Sequence, residues 1–169
     1  MRFLIIFIFL ITNVVAEELP GIKNIVIHKI PKTHDNVIFL DKNDQKININ
    51  EYKGNFLILN FWAVWCEPCK EEMPSLDRLQ QKYDKQDFQI LAISVDRGPK
   101  KKSVNFFNEY EIQNIDLFFD DKNNIPREVR AAGLPFSFFI DQEGNQIAKF
   151  IGPTEWDSNY FQDYIDSNL

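Results

Sequence analysis

The run FLILNFW at positions 56–62 is the feature that most restricts the folds open to this chain. It is a continuous apolar run of strand length, which is typical of a strand covered on both faces. From Cys66 onward the apolar residues change to helical spacing, with Met73, Leu76 and Leu79 on one face. A doubly covered strand that leads directly into a helix predicts an α/β sheet with parallel strands at its centre.

The remaining segments alternate in the same way and end in an antiparallel pair followed by a helix. We predict helices from Cys66 to about Lys85 and over 103–110, 125–132 and 154–168, the last with Trp156, Tyr160, Phe161 and Tyr164 on one face. Strands are expected over 22–30, 36–41, 46–49, 56–62, 89–95, 115–119, 136–140 and 146–151, with hairpins at 36–49 and 136–151. The cysteine pair then lies at the carboxyl end of a central strand, where open α/β sheets place their sites.

Composition limits the number of domains and the classes of partner. The chain has 169 residues with 16 Phe and 3 Trp, enough apolar surface for one core, and we expect one monomeric domain. Its net charge of −6 argues against nucleic acid as a partner, because binding of that kind needs a basic face.

The first sixteen residues have the anatomy of a secretory signal peptide. Arg2 precedes the apolar run 3–11, and small residues at 14–16 offer a cleavage point. An uncleaved anchor is the alternative, although the run is shorter than the roughly 20 residues of a membrane span. Residues 17–35 then form a linker and an edge strand before the main domain at 36–169. Either interpretation places this domain outside the cytoplasm, where disulfides persist.

Cys66 and Cys69 are the two cysteines of the chain, and their spacing has several interpretations. A purely structural disulfide is disfavoured, because closing so short a loop stabilises the fold by only about 2 kcal/mol. Zinc needs four ligands, and the two histidines, His28 and His34, lie far upstream on or beside a predicted strand. Cu(I) accepts fewer ligands and favours thiolates, so copper binding stays open beside the redox interpretation.

The redox interpretation accounts for the neighbouring residues. If the helix begins near Glu67, the sulfur of Cys66 lies beside free N–H groups that stabilise the attacking thiolate. Pro68 suits the first turn because it has no N–H to lose, and Cys69 lies one turn on, where it can resolve a mixed disulfide. The charge of Glu67 opposes the thiolate, so these two effects leave the redox potential undetermined.

Helical geometry distinguishes Glu72 from the other acids that follow the cysteines. At about 100° per residue, Glu72 falls within the apolar arc and one turn from Cys69, whereas Glu71 faces away. A carboxyl on the buried side should have a raised pKa and could move protons to or from Cys69. The alternative is a solvated helix acid, because Gln80 falls in the same arc and Pro74 should disturb the register.

Two stretches together resemble a known family. NFWAVWCEPCKEEMP, at the strand-to-helix junction, and GLPFSFFIDQEGN, near the end, resemble the thioredoxin fold and, more narrowly, the exported TlpA/ResA/CcmG-like thiol–disulfide oxidoreductases. The resemblance extends from about Val37 to the C-terminus. It implies an α/β, thioredoxin-like fold, with a central mixed β-sheet flanked by helices, extra N-terminal β-strands and a central insertion at about 98–119. A peroxidase of the peroxiredoxin type is disfavoured, because no Thr or Ser precedes Cys66 at the usual spacing.

The resemblance also implies roles for individual residues. Cys66 would be the exposed nucleophile, Cys69 the resolving thiol and Glu72 the active-site glutamate. Pro135 would be a cis-proline facing the disulfide, and the backbone of Leu134 would pair with a substrate strand.

Further residues are expected to meet the substrate. Trp65 would form a flat contact surface beside the thiols, whereas Trp62 suits the core. Glu67 and Pro68 lie between the cysteines, and Phe136 would line the substrate groove after the proline. Phe136-Ser137 stands where many members of the family have Thr-Thr or Glu-Thr after the proline. Because these positions line the substrate groove, the difference leaves the identity of the partner protein undetermined.

The implied activity is reduction of protein disulfides in the periplasm or at the outer face of the inner membrane, by mixed-disulfide exchange through Cys66 and Cys69. Its substrates would be apocytochrome c or copper-site proteins, and a membrane electron donor of the DsbD/CcdA type would re-reduce the pair. No organic cofactor or metal is required. The alternative is a Cu(I)-binding chaperone module that uses the same pair without turnover.

The basic run at 100–102 is a separate feature. It could dock an acidic partner or anionic lipid head groups, but a solvated helix end is the expected interpretation.

Overall fold

The computed structural model describes residues 24–33, 37–120, 122, 124–129 and 131–169. The predicted signal segment 1–16, the linker before residue 24 and His34 lie outside the described residues. Within these ranges, none of the helices combines the length and the apolar character that crossing a membrane requires.

The described residues form strands and helices in nearly the predicted order. The strands are β1 Ile25–Thr33, β2 Ile38–Leu40, β3 Lys46–Asn48, β4 Phe56–Trp62, β5 Phe88–Ser94, β6 Asp116–Phe119, β7 Phe136–Ile140 and β8 Asn145–Ile151. The helices are α1 Glu67–Gln80, α2 Lys101–Glu109, α3 Asn124–Glu128 and α4 Asn159–Asp166, with a 3₁₀ turn at Ile49–Tyr52.

All of these strands belong to one mixed sheet, in the order β1-β8-β7-β4-β5-β6-β2-β3. β5 runs parallel to β4 and β6, whereas β7 is antiparallel to both β4 and β8. β2–β3 and β7–β8 are the two hairpins that the sequence predicts. The prediction of a parallel centre closed by an antiparallel pair is confirmed, and β1 forms the edge beside β8.

β4 lies at the centre of the core, and this position explains its composition. Its seven residues are all buried, because β5 and β7 occupy its two edges and helices pack on it. Phe56 contacts Tyr164 of α4, and Trp62 contacts Phe106 and Phe107 of α2. Each large apolar side chain buried in this way stabilises the fold by about 1.5–3 kcal/mol.

Helix α1 ends at Gln80, earlier than the predicted end at Lys85, because the chain must turn back into β5. Gln80 fastens this end to the sheet: its Nε2 donates to Phe88 O at 3.0 Å and its Oε1 accepts from Ile90 N–H at 2.6 Å. These backbone groups precede the part of β5 that pairs with β6. The polar side chain on the buried face of α1 therefore satisfies backbone groups of β5 at positions that β6 does not reach.

Helix α4 begins at Asn159 rather than near Thr154, and its predicted apolar face is partly wrong. Trp156 precedes the helix, because its backbone N–H donates to Ser75 Oγ of α1 at 3.1 Å and its side chain is fully buried. Tyr160 is 54 % exposed and so does not belong to the buried face. Helix α3 is likewise shorter than the predicted 125–132.

The loop before β6 is fastened to α1 by one carboxylate. Asp77 Oδ1 accepts the backbone N–H groups of Gln113, Asn114 and Ile115 at 3.0, 2.6 and 3.3 Å, and Oδ2 accepts the side-chain amide of Asn114 at 2.7 Å. Asp77 is only 9 % exposed, so water cannot easily take over these bonds if the carboxylate is removed.

We expect Asp77→Ala to lower the free energy of unfolding by about 2–4 kcal/mol, because several N–H groups lose their acceptor. Arg78→Ala, at the next residue, is the matched control: its ion pair with Asp157 lies near the surface, where such pairs contribute about 0–1 kcal/mol. Urea denaturation followed by circular dichroism measures both variants. Equal losses in the two would contradict the role given to Asp77.

Candidate active site

Cys66 and Cys69 lie where β4 leads into α1, at the carboxyl end of the central strand, as predicted. They form a disulfide with an S–S distance of 2.05 Å and a Cα–Cα distance of 5.3 Å. Cys66 is the N-cap of α1 and is 6 % exposed, whereas Cys69 is fully buried in the first turn. Cys66 is the more accessible of the two. It is less exposed than the resemblance implied, because it packs with the hydrophobic core.

The start of α1 brings the positive end of the helix dipole to Cys66 and therefore favours its thiolate. Pro68 lies in the first turn, where its lack of an N–H costs nothing. Glu67, the acid expected to oppose the thiolate, forms an ion pair with Lys70 at 2.6 Å, and this hydrogen bond raises the pKa of Lys70. Lys70 therefore offsets part of the negative charge that opposes the Cys66 thiolate.

Glu72 lies on the buried side of α1, as helical spacing predicts, and is 2 % exposed. Its Oε1 accepts a hydrogen bond from Asn60 Nδ2 of β4 at 2.7 Å. Its Oε2 accepts the indole N–H of Trp156 at 3.1 Å and the backbone N–H of Thr154 at 3.3 Å. The carboxyl thus joins α1 to the central strand and to the segment between β8 and α4.

Burial raises the pKa of Glu72 to about 7, although the hydrogen bonds from Asn60, Trp156 and Thr154 act in the opposite direction. A cleft of about 190 Å³, walled in part by 153–155, includes Glu72 in its lining, so water can approach this residue from the surface. A group with this pKa can hold or release a proton near neutral pH, as a general acid or base must.

Asn60 and Trp156 are site residues that the sequence analysis misses. Asn60 is fully buried in β4, and its Nδ2 also lies 3.0 Å from Ser137 Oγ. An amide inside an apolar run needs a buried polar partner, so a signal for Asn60 was present at 56–62. Trp156 offers no such signal. The hydrophobic spacing of 154–168 assigns it to the apolar face of a helix, and this spacing does not indicate which group its indole N–H bonds.

The Oδ1 atom of Asn60 is buried without a hydrogen-bond partner in the described structure. A protonated Glu72 needs an acceptor for its O–H, and rotation of the Asn60 amide would present Oδ1 to it. Asn60 can therefore stabilise either protonation state of Glu72: as a donor to the carboxylate and as an acceptor from the acid.

The Leu134–Pro135 peptide bond is cis, as the resemblance implies. Pro135 O accepts the backbone N–H of Gly152 at 2.9 Å, which ties the loop before β7 to the end of β8. The side chain of Phe136 is 5 % exposed and stacks on Phe61 with ring centroids 4.5 Å apart, and the substrate contact expected of it stays a prediction. Phe136 belongs to the core, because β4 and β8 flank its backbone on both sides.

Trp65 is 70 % exposed directly before Cys66, in agreement with the flat contact surface expected of it, whereas Trp62 is fully buried. Glu67 and Pro68 are exposed as well. The substrate contacts expected of these residues, and of Leu134 and Pro135, stay predictions.

His28, the histidine that the structure describes, does not join the cysteines. His28 Nε2 lies 2.7 Å from Gln146 Nε2 of β8, and His34 lies outside the described residues. Across the described ranges, no three His, Cys, Asp or Glu side chains are grouped closely enough to hold a metal ion. The site as described holds the cysteine pair and one titratable acid, Glu72.

Fold and site together define an α/β protein with a disulfide at the start of a helix, and known proteins of this kind are similar to it. Residues 26–148 match the AhpC/TSA family. The chain is 32 % identical to the thiol–disulfide oxidoreductase ResA of Bacillus cereus over 124 residues, 73 % of this chain and 70 % of that relative. It is 31 % identical to ResA of Bacillus subtilis over 132 residues, 78 % and 71 % of the two chains.

Solved structures agree with this similarity. The structure assigned to the thiol:disulfide interchange protein DsbE of Chlorobium tepidum superposes with a TM-score of 0.72 at 25 % identity, covering 82 % of this chain and 96 % of that one. StoA of Bacillus subtilis shares the fold with a TM-score of 0.61 at 20 % identity, covering 77 % and 93 %. The thioredoxin-like fold is confirmed.

The chain belongs to the AhpC/TSA family and, within it, to the TlpA/ResA/CcmG-like thiol–disulfide oxidoreductases. It is a thiol–disulfide oxidoreductase whose Cys66–Cys69 pair exchanges with dithiols and disulfides of proteins.

Replacing Glu72 by Gln should remove an ionisation near pH 7 from the pH profile of thiol reactivity, because Glu72 lies one turn after Cys69 and titrates in that range. The measurement is the rate of alkylation of the reduced protein between about pH 5 and 9. Glu71→Gln, on the exposed side of α1, is the matched control and should keep the wild-type profile. A Glu72→Gln profile identical to wild type would reduce Glu72 to a structural acid.

The raised pKa of Glu72 also makes stability depend on pH. The folded protein keeps the proton up to about pH 7, whereas the unfolded carboxyl ionises near 4.5, so the proton's stabilising effect is complete below pH 4.5 and lost as pH rises through 7. The loss over this window is on the order of 3 kcal/mol. Urea denaturation of the oxidised protein at several pH values should show a flatter dependence in Glu72→Gln. Parallel dependences in both proteins would contradict the assignment.

Proposed function

We propose that the protein is a specific reductant of disulfides in partner proteins of the bacterial cell envelope. Its substrates are the haem-attachment cysteines of apocytochromes c or the copper-site cysteines of an oxidase subunit or its chaperone. The observation that carries this proposal is the Cys66–Cys69 pair at the helix start together with Glu72, a buried acid whose pKa is about 7, one turn further along. Similarity to ResA supports it.

The reaction passes through a mixed disulfide. The Cys66 thiolate attacks one sulfur of the substrate disulfide, and the other substrate sulfur leaves as a thiolate that takes up a proton. Cys69 loses its proton and attacks the Cys66 sulfur, which releases the substrate as a dithiol and forms the Cys66–Cys69 disulfide. Two electrons pass from the protein to the substrate. The oxidised pair is the state that the structure describes.

Glu72 assists the second of these steps. Cys69 is fully buried, and a buried thiol is slow to ionise, so the attack on Cys66 needs a base nearby. Glu72 on the same side of α1 accepts the proton from Cys69 when it is ionised and passes it to water through the adjacent cleft. Trp156 and Asn60 hold the carboxyl in place for this transfer.

The cysteine pair itself carries the electrons, so the proposed reaction uses no organic cofactor and no metal. Because disulfides persist outside the cytoplasm, reduction there requires an upstream source of electrons. We assign this part to a membrane electron donor of the DsbD/CcdA type. The location in the periplasm or at the outer face of the inner membrane is supported by the signal-like segment at 1–16.

Trapping of partners tests the proposal directly. In Cys69→Ser the mixed disulfide forms but is not resolved, so envelope proteins bearing haem-attachment or copper-site cysteines should accumulate on Cys66 and be identified by mass spectrometry. Cys66→Ser is the control and should trap none. Capture only of proteins without either kind of site would contradict the substrate assignment.

Direction and chemistry are tested with the purified wild-type protein. The reduced protein should reduce insulin disulfides, and its potential should lie at or below that of glutathione. A potential well above that of glutathione would indicate an oxidant. Tight Cu(I) binding in an anaerobic titration, without any disulfide turnover, would instead favour a copper chaperone module.

A further inference from the structure

A second cleft, of about 510 Å³, shares no lining residue with the cleft at Glu72 and opens beside the residues that lead into Cys66. Val64 and Trp65, which immediately precede Cys66, form one part of its lining, and Val95, Arg97 and Lys102 contribute to the rest. Trp65 is 70 % exposed and adjoins Cys66 in the chain, so the same residue borders both the cleft and the cysteines. A protein segment bound at Cys66 therefore has this cleft within reach of its flanking residues.

Asp96 fixes the shape of the cleft. Its Oδ2 accepts the backbone N–H of Val64 at 3.0 Å and the hydroxyl groups of Ser94 and Ser103 at 3.0 and 3.2 Å. These bonds connect the loop before Cys66 to the end of β5 and to α2. The cleft is thus part of the folded framework, and the Asp96 oxygen that holds it is engaged by three donors.

The cations of the cleft are free to meet a ligand. Among the described residues, Arg97 and Lys102 have no ion-pair partner, whereas Lys100 is turned away to Asp44 at 2.7 Å and to Asp41 O at 2.6 Å. The lysines of the basic run 100–102 therefore differ in their surroundings, whereas the sequence predicts one solvated helix end. The first lysine is an anchor and the third belongs to the cleft.

We propose that this cleft is a specificity subsite for an acidic side chain of the protein substrate, an Asp or Glu within about three residues of its reacting cysteine. Three extended residues span roughly 10 Å, and the lining of the cleft begins at Trp65, the residue next to Cys66 in the chain. The Arg97 guanidinium can bind a carboxylate through two parallel hydrogen bonds, and Lys102 adds a second charge. Trp65 supplies the apolar contact beside them.

Charge and shape favour a polypeptide over a lipid surface as the occupant. Arg97 and Lys102 outnumber Asp96, the one acid that lines the cleft, in a chain whose net charge is −6, so the positive region is local to the cleft. Docking to anionic lipids commonly uses clusters of about 4–8 basic residues on an outward surface. A concave site with two cations and an indole beside a redox-active cysteine instead fits one acidic side chain.

The test uses two disulfide peptides that differ only in Glu or Gln at a position two or three residues from the reacting cysteine. The reduced wild-type protein should reduce the Glu peptide about threefold to tenfold faster in low salt, and about 1 M salt should remove the difference. In Arg97→Gln/Lys102→Gln the ratio of the two rate constants should fall to near one. The ratio corrects for any change in the reactivity of Cys66 itself.

Lys101→Gln is the matched control for the single variant Lys102→Gln, in which the ratio should also fall, since Lys101 is exposed on the same helix, lies outside the cleft and carries the same charge as Lys102. The ratio should stay at the wild-type value in Lys101→Gln. An equal fall in Lys101→Gln would show that net charge rather than the cleft selects the substrate and would overturn the inference. A wild-type ratio near one at every position tried would also overturn it.

Sedimentation with phosphatidylglycerol vesicles separates the lipid alternative. Vesicle binding that depends on Arg97 and Lys102, with no peptide preference, would replace the inference with a lipid-facing surface. The inference rests on the proposed reductase function, and the two can fail separately. Rapid reduction of both peptides at equal rates overturns only the subsite, whereas reduction of neither overturns the proposed function and the subsite with it.

Discussion

The hydrogen bonds that meet the carboxyl of Glu72 join the redox site to the rest of the fold. A carboxyl removed from water costs free energy unless donors surround it. Here Asn60 of the central strand and Thr154 and Trp156 of the segment before α4 supply them. The same bonds fix where α1 lies on the sheet, and α1 in turn places Cys66 and Cys69 at the end of β4.

This arrangement lets one group serve structure and chemistry. Burial raises the pKa of Glu72 to about 7, and the same burial makes the ionised protein less stable than the protonated one. An acid with a cationic partner or with more exposure to water would destabilise the fold less when ionised. Its pKa would then lie further below 7, and it would be a poorer proton donor near neutral pH. In the proposed mechanism the two clefts have separate roles: the cleft at Glu72 serves proton transfer, and the cleft beside Trp65 binds an acidic side chain of the substrate.

Much of the fold could be predicted because its signals are local. The doubly covered strand at 56–62, the hairpin turns and the helical arc that holds Glu72 all follow from patterns within one element. The errors arise where distant contacts override such patterns. Trp156 leaves the expected helix to bond with α1, and α1 ends early at Gln80, whose side chain bonds with β5. Asn60 is an exception, since its signal was present in the run itself.

The sequence by itself determined that the cysteine pair lies at a strand-to-helix junction with an acid on the buried side one turn later. Residues three apart in a helix lie on the same side of it, so this placement depends on no other part of the chain. Only the tertiary structure decided which donors meet that acid, because Thr154 and Trp156 are 82 and 84 residues away along the chain. It likewise separated Lys100 from Lys102, since Lys100 is turned away by contacts with the loop after β2, one of which is with Asp41, 59 residues earlier.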